Sequence, residues 1–405
     1  MTRKLYYEDA YLFEFDARVL DCKENGGAFE VLLDATAFFP GGGGQPADKG
    51  VIASARVTGM RETDADVFHI CDAPLAAGSR VACAVERDFR LANMRRHTGE
   101  HIFTGVTHAE TSLDNVGFHI GEDYVTVDFN GDIPPQTLST IERLANETVM
   151  ACKPVNAFFP SCDELENMAY RSKKEIGEGI RIVAIPACDA CACCGIHVST
   201  TGEVGMIKVL TCARYKSGVR ILLKIAADAL ADYGERVQTV QAVSALLSAP
   251  PQQAAPAVEK LISERDALRR ENLRWKLLAF ERRIAGLSAE NCFVFEENLE
   301  PAELSECCSM LCERAQVAGV FSGTDGEIRY CLGSNTTDVR EFGRRLNDAF
   351  GGSGGRQTRP GARQIKRAAR PGRRLFARKR LRERSAVSLT NFGCAAYVLN
   401  SGGIK

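Results

Sequence analysis

Polar and apolar positions change their rhythm along this chain. Over residues 1–88 short alternating runs, such as Tyr11-Leu-Phe-Glu-Phe, Phe29-Glu-Val-Leu-Leu and Arg80-Val-Ala-Cys-Ala-Val, are separated by turn residues at Asn25-Gly-Gly and Ala77-Gly-Ser. A period of two puts every second side chain on one face, which predicts strands half buried in a sheet. Many short strands are most economically closed into a small barrel. The spacing then turns helical, and Leu91, Met94, Ile102, Phe103 and Val106 predict a core-facing helix over 88–107. Strands are predicted at 116–120 and 124–129, and helices over 135–151 and 161–172, the second opened by a Ser161/Glu164 capping box. A buried strand at 180–185 and two more at 204–213 and 218–225 complete an α+β unit.

From Ala226 the pattern is helical. Pro250-Pro-Gln-Gln-Ala-Ala-Pro256 interrupts it, and Val258, Leu261, Ile262, Leu268 and Trp275 then predict a charged amphipathic helix to about residue 284, either a coiled-coil arm or a lone packed helix. Residues 291–350 alternate strand (292–295), helix (302–318), strand (328–332) and helix (339–350), and end in Gly351-Gly-Ser-Gly-Gly. The expected division is a β-barrel with a glycine-rich loop at 1–88, an α+β domain at 89–225, a helical linker at 226–286, a small α/β domain at 287–355 and an atypical basic tail at 356–405. A length of 405 residues fits several cores better than one.

Composition narrows the class. No run approaches the roughly 18 apolar residues of a membrane span, and Met1-Thr-Arg-Lys-Leu-Tyr-Tyr-Glu-Asp lacks the apolar core of a signal peptide, so a cytoplasmic protein without membrane contact is expected. Sixteen cysteines then read as reduced thiols and metal donors, not as a disulfide framework. The net charge of −1 hides an asymmetry: residues 356–384 hold 13 Lys or Arg and one acid, leaving 38 bases against 51 acids elsewhere. A nucleic-acid partner must therefore be held by local basic patches and not by the global field.

The chemistry concentrates in two stretches. In Arg95-Arg-His-Thr-Gly-Glu-His-Ile-Phe-Thr104, His97 and His101 lie four apart, so a helix brings both imidazoles to one face within reach of one cation. Nearly a hundred residues later, Cys193-Cys-Gly-Ile-His197 offers a thiolate and a further imidazole, which would complete the N/S set that Zn2+ prefers. Four protein ligands usually mark a closed structural zinc, whereas catalysis needs an open position or a rearranged shell. A competing reading uses the same residues: His97-Thr-Gly-Glu-His101 fits the H-x-x-E-H of inverted zinc peptidases, with Glu100 polarising water and a distant carboxylate as third ligand. A third element is Phe38-Phe-Pro-Gly-Gly-Gly-Gly-Gln-Pro46. It is either a mobile loop or one whose backbone amides at Gly42, Gly43 and Gly44 approach a phosphate or sugar, with Gln45 as a polar tip.

Together with Gly117-Phe-His-Ile-Gly121 and Thr201-Gly-Glu-Val-Gly-Met-Ile-Lys208, these stretches resemble the free-standing alanyl-tRNA editing proteins, whose editing domain is shared with alanyl- and threonyl-tRNA synthetases. The C-terminal unit resembles a DHHA1 domain, so the similarity is to the long form of the family and runs from residue 1 to about 356. The resemblance implies a trans-acting hydrolase, without an aminoacylation domain, that cleaves the ester joining serine or glycine to tRNA(Ala). It places the metal ligands at His97, His101, Cys193 and His197. A pocket built for alanine cannot strongly exclude glycine, nor serine, which merely adds a hydroxyl, so a second hydrolytic site has a physical rationale. Thr104, Asn115 and His119 are the expected pocket residues, from their nearness to the motifs. With four protein ligands the metal is expected to orient the aminoacyl end more than to activate water. A homodimer through the C-terminal helices is a further expectation. The alternative class is a non-catalytic tRNA-binding protein with a structural zinc.

This chain departs from the pattern twice. Where the family usually has Cys-Gly-Gly-Thr-His, Ile196 replaces the threonine and a second thiol, Cys194, sits beside the ligand; Cys188 and Cys191 add further donors. After Gly355 the glycine-rich ending expected of DHHA1 gives way to an arginine-dense run. It reads either as translation in a shifted frame, with poor order after about residue 356, or as a basic extension that binds tRNA electrostatically.

Overall fold

The alternating runs at the start of the chain close into a six-stranded barrel. Its strands are ordered Glu14–Asn25, Ala28–Leu33, Val67–Cys71, Ala55–Glu62, Gly50–Ile52 and Arg80–Val85. Every second side chain points inward, so that Val19, Val31, Leu33, Ile52, Val57, Cys71 and Val85 pack around Phe38. The run at Tyr11 becomes strand only from Glu14, because Leu5–Glu8 forms a helical turn just before it. The computed structural model describes residues 1–172, 179–287, 289–324, 327–350, 396–400 and 403–404. The chain divides into two units, Met1–Ala245 and Leu246–Lys405, so the barrel and the α+β region share one unit.

The helix after the barrel spans Arg87–Thr111, longer than the predicted 88–107, and every residue from His97 to Thr107 is buried. Such a segment is packed on all sides and carries little one-faced pattern to mark its ends. Around it stand an antiparallel sheet, ordered Ile207–Tyr215, Gly218–Ile225, Val125–Phe129 and Asn115–Ile120, and a three-stranded sheet, ordered Asn156–Phe158, Ile182–Ile185 and Asp189–Ala192. Met94, Ile102 and Phe103 of the helix share one core with Val127, Phe129, Ile185, Ile196 and Val198. Truncating a buried ring such as Phe103 to alanine typically costs about 3–5 kcal/mol.

Three predictions in this unit need correction. The helix expected over 161–172 is only Cys162–Glu166. Its Ser161/Glu164 capping box is present, but Arg171 is drawn into the three-stranded sheet, where its N–H donates to Ala190 O and its carbonyl accepts from Ala192 N. The strands Asn156–Phe158 and Asp189–Ala192 were not predicted, since three and four residues are too few to display a period. Thr201–Val204 is a tight helical turn, and the strand begins at Ile207.

In the region predicted as a linker, helices span Ala227–Leu247 and Ala254–Ile284, on either side of the proline break. In the second unit a mixed sheet is ordered Glu327–Gly333, Ala315–Thr324, Ala289–Glu296, Ala396–Asn400 and Gly403–Ile404, with helices Pro301–Leu311 and Arg340–Phe350. The helix predicted over 302–318 therefore stops early. Val317, Val320 and Phe321 are strand residues, as their branched and aromatic side chains favour. Poor order was expected after about residue 356; residues 356–395 lie outside the described ones. Residues 396–400 pair parallel with Ala289–Glu296. Among the described residues no helix is long and apolar enough to cross a membrane.

Candidate metal centre

Helix Arg87–Thr111 sets His97 and His101 on adjacent turns, with ring centroids 5.2 Å apart. The strand Asp189–Ala192 runs into Cys193, whose N–H donates to Arg181 O at 3.0 Å, and the following loop brings His197 back toward the helix. The His197 ring lies 4.4 Å from that of His97 and 4.7 Å from that of His101. One donor atom from each of His97, His101, Cys193 and His197 falls within 4.8 Å of all the others. Cys193 Sγ is 3.4 Å from His97 Nε2 and 3.6 Å from His197 Nε2. A tetrahedral zinc with Zn–S near 2.3 Å and Zn–N near 2.0–2.1 Å requires S···N edges of about 3.5 Å, which these two distances match.

The outer nitrogen of every imidazole has a partner. His97 Nδ1 meets Gln45 Oε1 at 2.7 Å, His101 Nδ1 meets Asp189 Oδ2 at 3.1 Å, and His197 Nδ1 meets Thr98 Oγ1 at 3.1 Å. The Gln45 and Asp189 oxygens, which only accept, fix the tautomers of His97 and His101 with Nε2 inward, and Thr98 Oγ1 holds the His197 ring, the usual support of histidine metal ligands. Asp189 is held in turn by Arg171 Nε at 2.8 Å, and Arg171 Nη2 donates to Thr104 Oγ1 at 3.0 Å. Burial alone would raise the Cys193 thiol, yet the imidazoles of His97, His101 and His197 outweigh it and hold the thiol well below its ordinary range. The result is a thiolate, the form that binds metal.

The glycine loop serves this arrangement. Gly41, Gly42, Gly43 and Gly44 have φ of +90°, +144°, +58° and +87°, a run that side-chain-bearing residues rarely adopt. Gly42 and Gln45 exchange backbone hydrogen bonds at 3.0 Å, and Gly44 O accepts from Ile120 N at 2.9 Å. The loop is thus a pinned turn and not a mobile one. Its flanks are bolted to the helix by the buried pair of Asp48 and Arg90, and Asp48 also accepts from Phe39 N at 2.7 Å. Gln45, expected at the substrate, is buried and spends its carbonyl oxygen on His97 and on Ile196 N at 3.1 Å. Gly42 and Gly43 instead lie against Cys194 Sγ.

The expected pocket residues separate. Thr104 and Asn115 are buried beside the cluster, Thr104 donating to His101 O and Asn115 Nδ2 donating to Glu100 Oε1. His119 is exposed, and its neighbour Phe118 is the residue that stacks on His97, at 5.0 Å. Alternation along Asn115–Ile120 puts consecutive side chains on opposite faces, which accounts for the exchange. Glu100 is buried, with Oε2 3.9 Å from His101 Nε2. His101, Asp189 and Cys191 also group within metal-binding distance, but Arg171 already occupies Asp189 and its charge opposes a second cation. Ile196, in place of the family's threonine, is fully buried in the core, while Cys194 is exposed.

Sequence reasoning missed Thr98, Phe118, Arg171, Arg181 and Asp189. Two had a readable signal: Thr98 directly follows the first histidine, and Asp189 is a lone acid in the largely apolar run 182–192. The others are set by sheet register alone.

Residues 180–221, which include Cys193 and His197, match the family described as the threonyl and alanyl tRNA synthetase second additional domain. The alanyl-tRNA editing protein AlaX-L of Pyrococcus horikoshii is 36% identical over 222 residues, covering 52% of this chain and 54% of that protein. The alanine-tRNA ligase of Thermofilum pendens is 32% identical over 384 residues, covering 87% of this chain and 41% of the ligase. That of Halobacterium salinarum is 32% identical over 356 residues, covering 80% and 38%. The chain thus spans about half the length of these relatives or less. The matched segment 180–221 carries Cys193 and His197, and the chain is similar to both the AlaX-type alanyl-tRNA editing proteins and the alanine-tRNA ligases.

Proposed function

We propose that the protein is a trans-editing hydrolase that cleaves the ester joining serine or glycine to tRNA(Ala), with zinc held by His97, His101, Cys193 and His197. The observation that carries this reading is the buried cluster of four donors in which all three imidazoles are aimed from outside. Bound in that set, zinc supplies a fixed positive charge that orients the aminoacyl end and polarises its carbonyl. Gln45, Asp189 and Thr98 hold the ligand rings still. Thr104 and Asn115, buried beside the cluster, are the polar groups proposed to meet a serine hydroxyl, exchanging toward it the bonds they make to His101 O and Glu100, an exchange that an alanine methyl cannot offer. The second unit acts as a DHHA1-like domain, the protein works in the cytoplasm, and it self-associates through helix Ala254–Ile284.

The test is release of amino acid from seryl-, glycyl- and alanyl-tRNA side by side. Seryl- or glycyl-tRNA should be hydrolysed at least about 100-fold faster than alanyl-tRNA, and a Cys193→Ala, His197→Ala double variant should release nothing above background. If the unaltered protein is no faster than that variant, the enzyme reading fails. A second reading would then stand, a tRNA-binding protein whose zinc only holds the fold; the closed set of four protein donors favours it. The inverted peptidase reading lacks such support, since Cys193 and His197, not a carboxylate, complete the cluster.

A further inference from the structure

Phe159 is the one exposed phenylalanine among the described residues, 55% accessible, and it packs on Tyr7, which is hydrogen-bonded to the metal-binding loop. It follows the strand Asn156–Phe158, whose last pair is Phe158 with Ile182, so the register sets Phe159 across from Arg181. The Phe159 ring meets Tyr7 edge-on at 5.7 Å. The Arg181 guanidinium lies 4.8 Å from the centre of the Tyr7 ring, and Tyr7 Oη donates to Cys194 O at 3.1 Å. Arg181 Nη1 also donates to the carbonyls of Cys193 at 3.1 Å and Gly195 at 2.6 Å. An exposed ring, a second ring and a cation are therefore indexed rigidly to the loop that carries Cys193 and His197.

We infer that Phe159, backed by Tyr7 and Arg181, is a stacking platform for the single-stranded terminal base of an acylated RNA whose ester reaches the metal cluster. The inference rests on the proposed substrate class and names the surface that would seat its end. In an aminoacylated RNA the acyl group sits on the same ribose as the terminal base, so a base-binding surface has to lie within one nucleoside of the reacting ester. A platform hydrogen-bonded to the metal-binding loop meets that requirement. Unstacked bases are held on aromatic faces irrespective of sequence, and the buried Arg181 fixes the Tyr7 ring that backs Phe159.

The experiment uses unacylated RNA hairpins with a single-stranded 3′ end, one ending in adenosine and one abasic at that nucleotide, with binding read by fluorescence anisotropy. The full-length protein should bind the adenosine-ended RNA about 10-fold more tightly than the abasic one. Phe159→Ala and Phe159→Leu should each erase that preference and Phe159→Trp should keep it, the leucine variant guarding against a loss of folding. Deacylation by Phe159→Ala should show a raised KM with kcat unchanged. Retained preference in both Phe159→Ala and Phe159→Leu overturns the platform, and so does an equal loss of affinity for both RNAs, which would place Phe159 at another contact. Base preference in a protein that releases no serine would defeat the hydrolase reading and leave the platform; serine release without base preference would do the reverse.

Discussion

Each histidine of the cluster is aimed by a residue of a different kind: an amide for His97, a carboxylate for His101 and a hydroxyl for His197. Asp189 matters most, because it carries charge toward the metal and is itself clamped by Arg171. An Asp189→Asn variant should fold but bind zinc about 10- to 100-fold more weakly. Competition with a chromophoric chelator measures this, and unchanged affinity would show that His101 does not need its carboxylate. A residue far from the cluster reports on the barrel. His69 is buried between Thr36 Oγ1 at 2.8 Å and Val31 O at 3.2 Å, and burial pushes its pKa down to about 4 from 6.5. Between these values the unfolded chain binds the proton and the native one does not. Stability is therefore full above pH 6.5 and falls as the pH drops toward 4, by roughly 3 kcal/mol at the lower end. Urea unfolding across this range should show that slope, and His69→Gln should flatten it.

Two turns decide how the elements meet. A Cβ at Gly195 would sit 2.1 Å from His97 Cε1, so the metal-binding loop can pass the helix only as glycine. At Gly44, φ is +87° and a Cβ would lie 2.4 Å from the Phe118 ring and 2.8 Å from the Phe118 carbonyl, the strand that stacks on His97. Gly44→Ala should thus lower stability by about 2–4 kcal/mol, the sum of backbone strain and overpacking. Gly26 also has positive φ, +62°, but a Cβ there meets nothing within 4 Å, so Gly26→Ala should lose only about 1 kcal/mol. Thermal melting of the two variants side by side checks the difference, and equal shifts would mean that contact with Phe118 is not what requires Gly44.

At the scale of the whole molecule, helix Ala254–Ile284 has just Phe280 and Ile284 buried, while Val258, Leu261, Ile262, Leu268 and Trp275 are exposed by between 38% and 66%. Val258, Leu261, Leu268 and Trp275 recur at three- and seven-residue intervals, the spacing of a helix-pairing seam. A second copy of the chain is the occupant proposed for this stripe. Sedimentation should give the mass of a dimer, and Leu268→Glu should convert it to a monomer without changing the melting of the first unit. A monomer at all concentrations would refute self-association.

Residue type and spacing raised the metal-binding candidates, which the family resemblance narrowed to four, and by themselves indicated the barrel, the long helix and the capping box at Ser161, because each depends on local periodicity or on the donor chemistry of named side chains. The loop Gly41 to Gly44 was visible as a run of glycines, but its purpose was not. Only the fold shows that positive φ there turns Gln45 onto His97 and away from solvent. Tertiary structure likewise chose Phe118 over His119, since strand register decides which of two adjacent side chains faces inward. It also supplied Asp189, Arg171 and Arg181, whose roles exist only between segments brought together from far apart in the chain. Local pattern thus settles which groups are capable of binding an ion, while the partners that aim them are settled by packing, because a hydrogen bond between distant residues leaves no period in the chain to read.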